Sequence, residues 1–276
     1  MRAALKVVQA TRERMLDTGL ALFLSRLHWH CHFIQKLETE PAIEYWNMHR
    51  GYDGLREAEY NPARLQALME GRTGWPMVDA CVAMLRETGW LNFRMRSMLV
   101  SVAAYPLWLH WRPVGEWLAR EFLDCEPGIH WSQMQMQSGT TGTTGINTTR
   151  VYNPVKQAQD QVPHGRFVRH WLPALQQVPD TWLFQPWLMP PDLQQRMGLR
   201  PGVDLVDPVV DLDTATWLAK DRVNALRARR EVQAVQAVQA DIVRRHGFRQ
   251  RRTEQVAGPR QRRVAEVASQ QIGFDF

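Results

Sequence analysis

The sequence predicts an all-α fold. Apolar residues recur at helical spacing along almost the whole chain, and no segment alternates apolar and polar residues as a half-buried strand does. Gly74, Pro76 and Gly89 punctuate one such run as helix boundaries do. With 45% hydrophobic residues, 12 of them Trp, the 276-residue chain can bury a sizeable core.

The elements follow in order. Leu5, Val8, Met15, Leu16, Leu20 and Phe23 predict an opening helix or helix pair, and Leu65, Leu68 and Met69 another. A helical run from Val78 to Glu87 follows the Gly74–Pro76 turn and stops at Gly89. Met98 to Trp111 reads as one strongly apolar helix and Trp117 to Leu123 as a further one. From Glu126 to Pro154 the composition turns to Gly, Thr, Ser, Gln and Asn, including the repeat from Ser138 to Gly145, which predicts a long loop. A phosphate-cradling role for that repeat lacks the P-loop Lys and a preceding strand. A last helix is expected from about Thr214 to His246, with Val-Gln-Ala recurring over 232–240, and increasing disorder from Gly247.

Composition narrows the function classes. No apolar stretch reaches the roughly 18 residues of a membrane-spanning helix, and the start has no signal-peptide pattern, so a cytoplasmic protein is expected. Cys31, Cys81 and Cys125 are odd in number and widely spaced, which argues against a disulfide framework or zinc knuckle. His28 and His32 share a helix face, but His30 and Cys31 point elsewhere, so no metal site is expected. No serine elbow, His-Glu-x-x-His or Cys-x-x-Cys is present. The net charge of +6 is uneven, because residues 222–263 carry twelve Arg against three acids. Arg249, Arg251 and Arg252 of that stretch are candidates for nucleic-acid phosphates, the alternative being a solvated basic tail.

Five collinear segments carry a family resemblance. They are Leu24 to Phe33, Gly71-Arg-Thr-Gly-Trp-Pro-Met-Val-Asp-Ala80, Thr88-Gly89-Trp90 with Arg94 and Arg96, Arg150 to Pro154 with Gln157, Asp160 and Gly165, and Phe167 to Pro173. In this order they resemble the FAD-binding catalytic domain of DNA photolyases and cryptochromes. The resemblance implies a multi-helix domain over residues 1–190; composition and periodicity add a linker and C-terminal helix over 191–246 and a basic tail over 247–276. The resemblance further implies FAD as cofactor and DNA, damaged or single-stranded, as partner. Family members carry an upstream diphosphate-gripping segment and an α/β antenna domain, neither of which precedes Leu24. The expectation is a short form without that domain, or a true start upstream of Met1.

The resemblance also assigns residues. Arg96 and Asp124 match an ion pair against the isoalloxazine ring, Glu126 an acid at its imide edge, and His130 the position facing its reactive nitrogen. His30, Trp90 and Phe93 complete the cofactor candidates. His130 reads either as a hydrogen-bonding residue of a Gly-rich loop or as a titratable tuner of the flavin. Trp29 matches an aromatic wall for a flipped-out base. Arg26 stands where dimer-repairing enzymes use Glu, Ser97 replaces a Met, Met136 a second aromatic wall, and Asn92-Phe93 a pair of histidines. Trp111 matches the middle member of a Trp relay whose other positions fall near Met134 and Ala58, leaving Trp108, Trp131 or Tyr60 as substitutes.

The leading expectation is light-driven repair of pyrimidine dimers in DNA. The alternatives are a cryptochrome-like light sensor or redox flavoprotein, and a cofactor-free helical nucleic-acid-binding protein.

Overall fold

The computed structural model describes Lys6 and residues 18–141 and 151–228. The Gly-Thr-Thr repeat beyond Thr141, the Val-Gln-Ala segment and the basic tail lie outside them. Among the described residues the elements are helical, with one isolated bridge between Pro201 and Leu205. None of the described helices is long and apolar enough to cross a membrane. The three cysteines are free thiols.

Helix α1 spans Thr18–Thr39. Helix α2, Pro62–Glu70, starts where the Asn61 side chain accepts the Arg64 N–H at 3.1 Å, and it ends on left-handed Gly71. Helix α3, Pro76–Thr88, is buried from Pro76 through Val82 and again at Met84 and Leu85. It packs against α2, against α4 (Phe93–Ala104) and against two later helices, α7 (Pro154–Gln161) and α8 (Arg166–Trp171). An apolar surface on nearly every side demands such enclosure.

The turn before α3 accounts for the Thr-Gly-x-Pro-x-x-Asp pattern. Asp79 Oδ1 accepts the Thr73 N–H at 2.8 Å and the Thr73 hydroxyl at 2.7 Å, while Oδ2 accepts the Gly74 N–H at 3.1 Å. One carboxylate thereby gathers donors that the turn leaves unpaired. Burial raises the Asp79 pKa to about 6, against the opposing pull of those hydrogen bonds.

Helix α4, Phe93–Ala104, is capped by Asn92, which accepts the Met95 N–H at 3.0 Å. The apolar run from Met98 to Trp111 is therefore two elements, not one helix. The chain leaves α4 at Tyr105, next to Pro106, which can neither donate the next helical hydrogen bond nor clear the preceding turn. After a turn in which Trp108 takes a positive φ of 54°, α5 runs from Trp111 to Glu121, six residues earlier than the Trp117 start expected.

A second correction concerns the expected loop from Glu126. Pro127–Ser138 forms α6, entered through a proline and left through Gly139. Its polar residues face inward. Gln135, fully buried, accepts the Met48 N–H at 2.7 Å and donates to the carbonyls of Ile43 at 2.8 Å and Trp46 at 2.9 Å. Glycine at 128 lets α1 cross this helix closely, because a Cβ there would stand 2.9 Å from Ile34 Cα and 3.0 Å from the Phe33 carbonyl. Beyond Val151 come α7, capped by Asn153, then α8, α9 (Asp180–Leu183), α10 (Pro191–Arg196) and α11 (Leu212–Arg227). Asp211 caps α11 by accepting the Thr214 N–H at 2.9 Å, and Ala219 and Val223 pack it against Tyr105 and Trp108.

Candidate functional site

Helices α4, α5 and α6 enclose a cavity of about 430 Å³, within the size range of small-molecule sites. Leu91, Val100, Leu118, Phe122, Ile129 and Met134 give it apolar walls. Asn92, Arg96, Asp124, Glu126, His130 and Gln133 supply its polar groups. Such a lining suits a flat heteroaromatic ring with a polar edge.

Arg96 is held from three sides. Its Nε donates to the Leu91 carbonyl at 2.7 Å, its Nη2 reaches Asp124 at 2.9 Å, and its guanidinium lies 4.1 Å from the centre of the Phe122 ring. The expected Arg96–Asp124 pair is present, but its Asp124 side chain is 53% exposed, at the edge of the cavity. A pair that open adds about 1 kcal/mol or less to stability.

His130 sits in α6 rather than in a loop, nearly buried, with Nε2 2.9 Å from the Gly115 carbonyl. A carbonyl only accepts, so Nε2 carries the proton. Burial first, and the Arg96 charge after it, lower the pKa, outweighing the Gly115 hydrogen bond that raises it. The imidazole is therefore mostly uncharged near pH 7.

Trp90, Phe93, Arg96, Asp124, Glu126 and His130 thus come together around one cavity. Three other candidates do not. His30 lies half-buried on α1 with its Nδ1 unpartnered, and it is not among the cavity's lining residues. Arg26 and Trp29 occupy the exposed side of α1, where the Trp29 ring rests 5.6 Å from that of Phe33. Arg249, Arg251 and Arg252 lie outside the described residues.

Trp111 is buried, its Nε1 donating to Asn47 at 2.7 Å. Its ring meets Trp131 edge-on at 6.0 Å, and Trp131 meets His130 at 4.9 Å, so aromatic rings connect Trp111 to the cavity. Sequence reasoning missed Gln133, whose buried Oε1 has no partner although the residue lines the cavity. A Gln in a presumed loop carries no signal by itself, and only the helical register of α6 turns it inward. Among the described residues no cluster of His, Cys, Asp and Glu could hold a metal ion.

The profile of a family described as the FAD binding domain of DNA photolyase matches residues 23–225. The chain belongs to this photolyase and cryptochrome family. FAD is the cofactor of the family's domain, and the cavity fits it: apolar walls, a cation–carboxylate edge and an unpartnered buried amide oxygen are what an isoalloxazine needs around it. Among the family's members, the chain is 35% identical to a cryptochrome DASH of Gloeobacter violaceus over 54% of its own length and 29% of that protein's. It is 29% identical to a deoxyribodipyrimidine photo-lyase of Escherichia coli over 76% and 43% of the two lengths. The crystal structure of a Synechocystis cryptochrome shares its fold with a TM-score of 0.71 at 25% identity, covering 80% of this chain and 45% of that one. The photolyase-family chain therefore spans less than half the length of these relatives.

Arg96→Ala is expected to lower flavin occupancy of the purified protein about tenfold or more, roughly 1.4 kcal/mol or more of binding, with a stability loss near 1 kcal/mol. Flavin absorbance per chain and urea unfolding check both. Undiminished occupancy overturns the assignment.

Proposed function

We propose that the chain is a photolyase-like flavoprotein that binds FAD in the α4–α6 cavity and uses light-driven electron transfer to repair pyrimidine dimers in DNA. The observation that carries the reading is the cavity itself, with Arg96 and Asp124 paired on one edge and aromatic residues leading away from another. When bound, FAD supplies light absorption and one-electron chemistry. The protein's part is to exclude water through Leu118, Phe122 and Met134, to fix the ring against Arg96, and to keep His130 neutral. Trp29, exposed on α1, offers a stacking face for a flipped-out base, and Arg26 one turn before it adds a positive charge beside that face. The Arg-rich segment beyond Arg222 adds phosphate affinity in this reading.

The experiment is repair under blue light of an oligonucleotide containing a single pyrimidine dimer, with flavin content measured on the same preparation. Repair supports the reading. Flavin without repair favours a cryptochrome-like sensor, which the positive charge at Arg26 in place of a family Glu also favours. A colourless protein that still binds DNA leaves only the cofactor-free class.

Trp131 stands between Trp111 and the cavity, and we assign it to an electron path from Trp111. Trp131→Phe is expected to slow photoreduction of the bound flavin by an external thiol about tenfold or more while absorbance is retained. An unchanged rate removes Trp131, and Trp111 with it, from the path.

A further inference from the structure

Buried polar atoms without partners are rare. Of the ten such side-chain atoms among the described residues, six gather in one seam: His49 Nε2, Arg56 Nη2, Tyr105 Oη, Trp108 Nε1, Ser138 Oγ and Arg227 Nη2. None of these residues lines the flavin cavity.

Their proximity is direct. The Arg56 guanidinium lies 5.5 Å from the Tyr105 ring centre and 4.7 Å from that of Trp108. Arg227 Nε donates to the Tyr52 hydroxyl at 3.1 Å, and Tyr52 meets His49 edge-on at 5.3 Å. The point where a Cβ would stand on Gly139, next to Ser138, is 2.5 Å from the Tyr105 hydroxyl and 3.9 Å from Arg227 Nη2. The ends of α4, α6 and α11 thus converge on the stretch from His49 to Arg56.

The chemistry of the six atoms leans to one side. The arginine and Trp nitrogens only donate, and His49 Nε2 donates because Nδ1 accepts the Gly51 N–H at 3.1 Å, while the Tyr and Ser hydroxyls can donate or accept. Arg56 is 1% exposed and, although burial lowers its pKa to about 10, it stays charged near neutrality. Among the described residues no carboxylate pairs with Arg56 or Arg227. The nearby Glu57 is turned to the Arg56 backbone N–H at 2.9 Å and to His110 at 3.6 Å. A water molecule accepts few hydrogen bonds and neutralises nothing, whereas an anion with several acceptor oxygens does both. We propose that this seam binds a tetrahedral oxyanion, either free phosphate or the phosphoryl group of a nucleotide, held between Arg56 and Arg227 with the Tyr105 and Ser138 hydroxyls as further donors. The proposal stands apart from the reading of the flavin cavity.

The test is thermal unfolding of the full chain, potassium chloride being replaced by potassium phosphate at constant ionic strength, with ADP as a separate arm. Phosphate stabilises proteins generally, so the decisive quantity is the response that Arg227→Met removes. The wild type is expected to show a saturating rise of several degrees. Arg227→Met is expected to weaken the apparent phosphate affinity about tenfold or more, while Arg50→Met, at an exposed arginine paired with Asp53, retains it. Arg56→Met repeats the result if it folds, and Arg227→Met at the partly exposed end of α11 carries the test if it does not. Saturation at lower ADP than phosphate identifies a nucleotide as the source, and equal or weaker ADP binding the free ion. Equal responses of wild type and Arg227→Met to phosphate and to ADP overturn the proposal.

Discussion

Asp79→Ala is expected to destabilise the protein by about 4 kcal/mol, since three buried donors lose their acceptor and each unsatisfied group costs about 1–3 kcal/mol without full additivity. The loss falls on the turn that starts α3, the helix enclosed by α2, α4, α7 and α8, so it should appear as a shift of the whole unfolding transition. Asp79→Asn keeps an oxygen for Thr73 but turns an amide toward the Gly74 N–H, and an intermediate loss is expected. The pH dependence has a definite sign. The folded pKa of about 6 lies above the ordinary value of 3.8, so the folded state holds the proton more tightly than the unfolded chain. The resulting stability is complete below about pH 4 and disappears as pH rises through 6, up to about 3 kcal/mol at 1.36 kcal/mol per unit. Urea unfolding at pH 4.5 and 7 should show this decline in the wild type and its absence in Asp79→Asn. A pH-independent difference between the two proteins contradicts the shifted carboxyl.

Gln135→Leu is expected to cost a similar amount, about 4 kcal/mol, because the Met48 N–H and the Ile43 and Trp46 carbonyls are left buried against an apolar side chain. Gln133→Leu on the same helix provides the contrast. Its Oε1 has no partner to lose, so its effect on stability should stay within about 1 kcal/mol, whereas flavin occupancy should respond. Equal destabilisation by the two substitutions would contradict the assignment of Gln135 as the link between α6 and the Ile43–Met48 segment.

The sequence made α3 readable because its start, apolar face and stop are all local signals: Pro76, the run to Leu85, and Gly89. Helix α6 was not readable, since Gly128, Ser132, Gln133, Gln135 and Gln137 look like loop composition. What makes them helical is tertiary: backbone groups from Ile43 to Met48 need partners, and a buried amide supplies them. The same reasoning explains the broken Met98–Trp111 run, where Pro106 is a local signal that apolar periodicity masked. At the site, Arg96, Asp124 and Glu126 were legible through family motifs. Gln133 was not, and Trp131 was only one of three possible relay substitutes, because their positions relative to the cavity depend on the register of that unforeseen helix. His30, also assigned to the cofactor, is not among the residues that line this cavity.

The three-sided restraint of Arg96 bears on how readily the cavity accepts a ligand. A free arginine side chain has about 2 kcal/mol of rotamer entropy to lose on being fixed. Here the Leu91 carbonyl, the Phe122 ring and Asp124 hold it in one orientation on folding, and a ligand meets a guanidinium plane already placed. A plane set in advance should favour flat partners over puckered ones. Loosening that plane without removing its charge, as Phe122→Leu would, should therefore widen the range of ligands accepted while weakening the flat ones.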